Sequence, residues 1–182
     1  MPNPFKVQLT HAADITPEQE GRFRALLMAA YPQFADFWAG TSFWGGPADA
    51  RLWLSAPDGE VLAHLGFGRR TVRVGREDVR VAGVGAVATH PAHRGRGYGA
   101  RLLRTLPHAA PDVDFAFLEC REEVAPFYAS GGFVRVPNST WSLDPDEGMW
   151  VERAGSPVMV LPVRASIRAW PAGRVDLRGM PW

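Results

Sequence analysis

Residues 89–100 read Thr89-His90-Pro91-Ala92-His93-Arg94-Gly95-Arg96-Gly97-Tyr98-Gly99-Ala100, placing three alternate glycines and two arginines between a strand-like run and a helix-like one. Successive backbone N–H groups can converge on one point only where side chains are absent, and a helix start adds about half a positive charge there. The stretch therefore reads as an anion cradle of a size to hold a pyrophosphate. A plain tight turn capped by glycine is the simpler alternative. The glycine spacing is not the G-x-G-x-x-G of a dinucleotide fingerprint, and the chain has no G-K-[ST] phosphate loop.

Downstream of this loop, residues 100–106 keep helical spacing until Pro107 ends the run, 114–119 (DFAFLE) form a strand, and 122–130 a helix with acidic first-turn residues. Gly131-Gly132 stops that helix and 133–136 return as a strand, a βαβ-like crossover. Upstream, 5–11 alternate as a half-buried strand. Thr16-Pro17-Glu18-Gln19 supplies an N-cap, a first-turn proline and a capping-box glutamine for a helix that runs to Tyr31. Pro32 ends it. Residues 51–55, 60–74 (with His64) and 79–89 read as a meander of strands separated by tight turns. Gly83 and Gly85 inside the last strand call for a bulge or the close approach of another molecule's backbone. Beyond 141–143 and a polar loop over 144–156, residues 158–163 (VMVLPV) form a buried strand, and the tail 164–182 is irregular.

At 182 residues and 46% hydrophobic content, the chain fits one domain, 1–182, which can bury about 70% of its unfolded surface without staples. The lone cysteine, Cys120, excludes an internal disulfide and a cysteine metal cluster, which suits a reducing cytoplasm. The N-terminal stretch carries no basic-then-apolar leader, and no run is long enough to span a bilayer. Twenty basic against nineteen acidic residues leave +1, so bulk charge draws the chain to neither nucleic acid nor an anionic membrane, despite the cluster Arg94, Arg96, Arg101 and Arg104. The expected partner is a small molecule. All basic residues but Lys6 are arginine, which suits forked anion contacts.

Arg94-x-x-Gly97-x-Gly99 after Thr89-His90-Pro91 resembles the acyl-CoA loop of the GNAT superfamily of N-acyltransferases. Pro126-Phe127-Tyr128-Ala129-Ser130-Gly131-Gly132-Phe133 resembles that superfamily's F-Y-x-x-x-G-F segment. Ala63-His64-Leu65-Gly66 with Arg69-Arg70, and Leu161-Pro162-Val163 through Trp170-Pro171-Ala172-Gly173 to Arg178-Gly179, resemble the rhizobial nodulation N-acyltransferases, which acylate the free amine of a chitin oligosaccharide. The terminal tryptophan and Tyr128-Ala129-Ser130 resemble the aminoglycoside 2′-N-acetyltransferases, although the tail Gly179-Met180-Pro181-Trp182 lacks their aspartates. The resemblance implies an α/β (α+β) single-domain fold. Its mixed, mostly antiparallel sheet would have six to seven strands, helices on both faces and a splayed central strand pair. Both branches carry a glutamate in the strand before the loop, where this chain has Ala82-Gly83-Val84-Gly85-Ala86.

The implied reaction is direct transfer of an acyl group from acetyl-CoA or another acyl-CoA to a small amine. Transfer needs a neutral amine, a polarised carbonyl and an acid for the departing thiolate. The resemblance places the cofactor on the backbones of Val87 and Thr89 and on Arg94, Gly95, Arg96, Gly97 and Gly99, and it makes Tyr128 the candidate acid. For the base, Glu119 at a strand end, His64, Asp36 and the terminal carboxylate of Trp182 stay open. The aromatic run Phe34, Phe37, Trp38, Phe43 and Trp44 can line an apolar acceptor site, with Asp36, Trp38 and Trp182 as substrate contacts. Cys120, beside acidic residues, is expected to stay protonated. His90 and His93, with a proline between them and no third ligand in the sequence, make a poor metal site, and no metal is expected. Two alternative functions stay open, a catalytically silent acyl-CoA-binding module and acyl-chain transfer to an amino sugar, and so does assembly as a homodimer.

Overall fold

The computed structural model describes residues 5–182. The chain runs β1 (Val7–His11), α1 (Pro17–Ala30), α2 (Ala35–Trp38), β2 (Ala50–Ser55), β3 (Val61–Val74), β4 (Glu77–Thr89), α3 (Tyr98–Ala109) and β5 (Phe115–Glu119). It continues through α4 (Ala125–Ser130), β6 (Val134–Val136), β7 (Thr140–Leu143), β8 (Trp150–Arg153), β9 (Val158–Pro162) and β10 (Val175–Asp176). Thr16 caps α1 as its sequence requires: its hydroxyl accepts from Gln19 N at 3.1 Å while Thr16 N donates to Gln19 Oε1 at 3.0 Å.

Ten strands among the described residues, more than the six to seven that the resemblance implies, join one sheet in the order β6-β9-β5-β4-β3-β10-β7-β8, with β2 paired to β3 and β1 to β2. The meander β1-β2-β3-β4 is antiparallel throughout, whereas β4 runs parallel to β5 and β10 parallel to β7. Three local features also differ from the sequence reading. The stretch 144–156 holds β8, which pairs with β7 from Thr140↔Arg153 to Leu143↔Trp150. The tail contributes β10, seated between β3 and β7. Strands this short carry too few residues to show alternation, so their pairing is a tertiary effect. Pro107 does not end α3, which continues to Ala109; a proline in the last turn forfeits one backbone bond, and Leu102, Leu103 and Leu106 anchor the helix in the core.

Side chains alternate across the sheet. Ala116, Leu118, Met159 and Leu161 pack on one face with Leu102, Leu103 and Leu106 of α3. Phe115, Phe117, Val158 and Val160 lie on the other face, with the C-terminal segment. Phe23, Leu26 and Leu27 of α1 pack with Trp53, Val61 and Ala88. Helices therefore cover both faces and leave the middle of β4 between them.

Candidate active site

Strands β4 and β5 are paired only from Val81↔Phe115 to Gly83↔Phe117, yet they run on to Thr89 and Glu119. The sheet parts there. Just past the parting β4 bulges: His64 faces Ala88 and Gly66 faces Gly85, so Ala86 and Val87 stand opposite Leu65 alone, with Ala86 at φ 51°. His64 fixes this bulge, its Nδ1 lying 2.8 Å from the Ala86 carbonyl. The Val87 carbonyl, on the open side, accepts a hydrogen bond from the Tyr31 hydroxyl at the end of α1.

Beyond the bulge the chain makes a short turn at Pro91–His93 and then the glycine loop. Gly95 and Gly97 take φ 76° and 78°, a left-handed backbone that glycine adopts without strain. The first backbone bond of the following helix runs from Arg101 N to Gly97 O. Among the described hydrogen bonds, no N–H group of residues 95–100 donates to another residue, and residues 94–97 are exposed. The loop thus presents a row of free donors at the start of α3. Gly99 is wedged in: a Cβ there would lie 2.9 Å from Phe127 Cζ and 3.0 Å from Thr89 Oγ1. The Arg94 guanidinium donates to Ala30 O at 3.2 Å, and Arg96 projects outward with no partner among the described contacts.

Tyr128, on α4, packs edge-on against Phe127 and Phe133. Burial pushes its phenol above the usual range, and the neighbouring Tyr31 and Cys120 add to the shift, so it stays protonated. Tyr31, missed in the sequence because it reads as a helix-end aromatic, is also raised by burial, against the pull of Arg94 and Arg121. Glu119 occupies the end of β5; burial raises its carboxyl, opposed by a hydrogen bond from the Thr140 hydroxyl and by Arg153. Cys120 is likewise raised by burial.

The remaining candidates sit apart. His64 is 0% exposed, and burial lowers it to about 3, helped by Arg51 and resisted by the Ala86 bond; its Nε2 is buried without a partner. Asp36 is exposed on α2, and Trp38 is buried against Phe37 and Tyr31. Trp182 lies on β4 itself. Gly66 and Gly68 of β3 pair directly with Gly85 and Gly83 of β4, forming a bare patch. A Cβ on Gly83 would fall 1.9 Å from Trp182 Cδ2, and one on Gly66 would fall 2.4 Å from Phe43 Cε2. The space that the sequence assigns to an approaching ligand is filled from within. Arg70 lies 4.0 Å over the Trp182 ring and donates to Leu177 O and Met180 O, pinning the tail. Beside this patch Arg51 is 7% exposed, with Nε and Nη1 unpartnered; Ser42 bridges it to Glu20. Nothing in the spacing of these residues singles them out.

A family model described as Nodulation protein A (NodA) matches residues 6–180. No curated protein matches the chain. Solved structures match its fold. One is a GNAT-family N-acetyltransferase (YhbS) of Escherichia coli in complex with CoA, with a TM-score of 0.61, 14% identity and coverage of 97% of this chain and 92% of that one. Another is a GNAT-family acetyltransferase of Brucella melitensis in complex with acetyl-CoA, with a TM-score of 0.52, 18% identity and coverage of 93% and 94%. A probable N-acyltransferase of Enterococcus faecalis matches with a TM-score of 0.54 and 16% identity over 72% of this chain. The chain spans only 32% of that longer protein.

Proposed function

The chain belongs to the nodulation protein A family, N-acyltransferases of the GNAT superfamily, and on that premise we propose that it moves an acyl group from a coenzyme A thioester to the amine of a small acceptor. The observation that carries this reading is the parting of β4 from β5 after Gly83↔Phe117, directly upstream of a loop with free N–H donors. The diphosphate of the donor would sit on the amides of Gly95, Arg96, Gly97 and Gly99, with Arg94 and Arg96 as counter-charges. Each such charged hydrogen bond is worth about 1.5–3 kcal/mol before ordering costs. The thioester arm would lie along the open edge of β4, bonded to the backbones of Val87 and Thr89 and replacing the Tyr31 hydroxyl. Two neighbours of this fold crystallised with CoA or acetyl-CoA support that donor class.

In this reading the amine attacks the thioester carbonyl, a C–N bond forms and the C–S bond breaks. The departing thiolate takes the Tyr128 proton, which solvent restores. Glu119 accepts the proton that the amine releases, directly or through water. His64, dry and neutral, holds the bulge that shapes the carbonyl site. An amino sugar is the acceptor suggested by the family, and of the proposed substrate contacts Trp182, seated on β4, stands nearest the parted strands.

Thermal shift with CoA, acetyl-CoA and a long-chain acyl-CoA, followed by thiol release over amines that include a de-N-acetylated chitin oligosaccharide, tests the reading. Stabilisation without turnover on any amine would leave a binding module only. Tyr128→Phe is expected to slow turnover by about 10²–10⁴ while acyl-CoA affinity holds; unchanged turnover removes the acid role. Because burial raises Glu119, activity should fall as pH drops through a value above the ordinary carboxylate range. Glu119→Gln should abolish that acid limb, and an unaltered profile would clear Glu119 of the base role.

A further inference from the structure

His90 and His93, separated by one turn at the entrance to the glycine loop, find in the fold the third ligand that the sequence did not show. Glu60, at the end of the β2–β3 turn, meets both: its Oε1 lies 3.4 Å from His90 Nε2 and its Oε2 lies 3.4 Å from His93 Nε2. One donor atom from each residue lies within 4.8 Å of the others. We propose that Glu60, His90 and His93 bind a divalent ion of the zinc class, clasping the β2–β3 turn to the start of the loop.

The separations favour coordination over hydrogen bonding. An N–H···O bond spans about 2.7–3.2 Å, and none joins Glu60 to either imidazole among the described hydrogen bonds. A tetrahedral ion about 2.0–2.2 Å from nitrogen and oxygen ligands holds those ligands about 3.3–3.5 Å apart. Each imidazole stands at that distance from one of the two carboxylate oxygens. Small rotations of these partly exposed side chains would draw one donor atom from each residue, now within 4.8 Å of one another, onto a single ion. The backbones of all three residues are anchored. Glu60 N donates to Asp58 Oδ1 at 3.1 Å, and Glu60 O accepts from Ala56 N at 2.9 Å. His90 N donates to Leu62 O at 2.9 Å, and His93 N donates to His90 O at 2.8 Å. His93 Nδ1 is buried, which leaves Nε2 as the nitrogen it can offer. His90 Nδ1 accepts from Ala92 N at 3.3 Å; coordination through Nε2 moves the imidazole proton to Nδ1 and opens that long contact. The side chains of His90, His93 and Glu60 are 25%, 24% and 44% exposed, so water can reach a fourth position. Two imidazoles with one carboxylate select zinc, cobalt or nickel over magnesium and calcium.

The test is titration of the full chain with Zn(II) and with Co(II), by calorimetry and by the visible absorption of four-coordinate cobalt. One saturable site, a cobalt spectrum without thiolate charge transfer from Cys120, and a rise in melting temperature with zinc but not magnesium are expected. Glu60→Gln and His93→Gln, each checked for a native circular dichroism spectrum, should weaken binding more than the roughly 100-fold that loss of an outer-sphere partner costs. Absence of saturable binding to the wild type, a thiolate-bound cobalt spectrum, or affinity unchanged in either variant would overturn the proposal.

Discussion

Along the edge of β4 that faces β5, the protein offers bare backbone: an unpaired strand end, a bulge and a loop of free N–H groups, all from residues 84–100. Across the face of the same strand, Gly83 and Gly85 are covered by Trp182 and Phe43, which arrive from the tail and from the segment after α2. The edge is local and made of main chain. The face is assembled from remote side chains, pinned by Arg70 and by the bond from Gly46 N to Pro181 O at 2.8 Å. A backbone site tolerates side-chain drift as long as its glycines persist, whereas a face built from two distant aromatics can be recut by changing either one.

The sharpest way to break the edge is Gly99→Val. A Cβ there already lies 2.9 Å from Phe127 and 3.0 Å from Thr89 Oγ1, so the added methyls must push the start of α3 off its seat. Calorimetry with CoA should show Kd raised about 100-fold or more, which is about 2.7 kcal/mol. Gly97→Ala is the control, because nothing lies within 4 Å of its Cβ and only the left-handed φ of 78° is strained, about 1–2 kcal/mol. Equal CoA affinity in Gly99→Val would move the cradle elsewhere.

The face is probed by Gly83→Ala, whose Cβ would collide with the Trp182 indole. Overpacking of this kind destabilises by about 1–3 kcal/mol. In a Trp182→Ala background the same change should be nearly neutral, giving a coupling energy of about 1–2 kcal/mol in a denaturation double-mutant cycle. Additive effects would mean that Trp182 does not rest on Gly83. Any longer side chain at this position would likewise have to displace the indole.

This contrast also explains how much the sequence disclosed. The capping box of α1, the meander and the glycine loop are written in neighbouring residues, and each folds as its local pattern demands. Tyr31, Arg51, Ser42 and Thr140 acquire their contacts only through the fold, so no spacing announces them. Gly83 and Gly85 were legible as a demand for close approach, but not for which molecule approaches. Glu60 stands far along the chain from His90 and His93, and only the β2–β3 turn brings it to them.

His64 links the two regions, since its Nδ1 holds the bulge on the edge while its ring lies beneath α1, with Phe23 at 4.8 Å. Burial foremost, and then Arg51, lower its folded pKa from 6.5 to about 3, so the native state keeps the ring neutral where the unfolded chain would protonate it. A lowered value means that the unfolded state binds more protons below pH 6.5, so stability is full above that pH and drains away as pH falls toward 3. Each pH unit in that window costs about 1.4 kcal/mol, or about 2 kcal/mol by pH 5. Other acidic groups titrate there too, and comparison with His64→Gln removes them. Urea unfolding at pH 7.5 and pH 5 should show the wild type losing about 2 kcal/mol more than the variant over that interval. Parallel losses would mean that the ring charges in place, with water reaching Nε2, and the bulge would then be held by a wet histidine rather than a dry one.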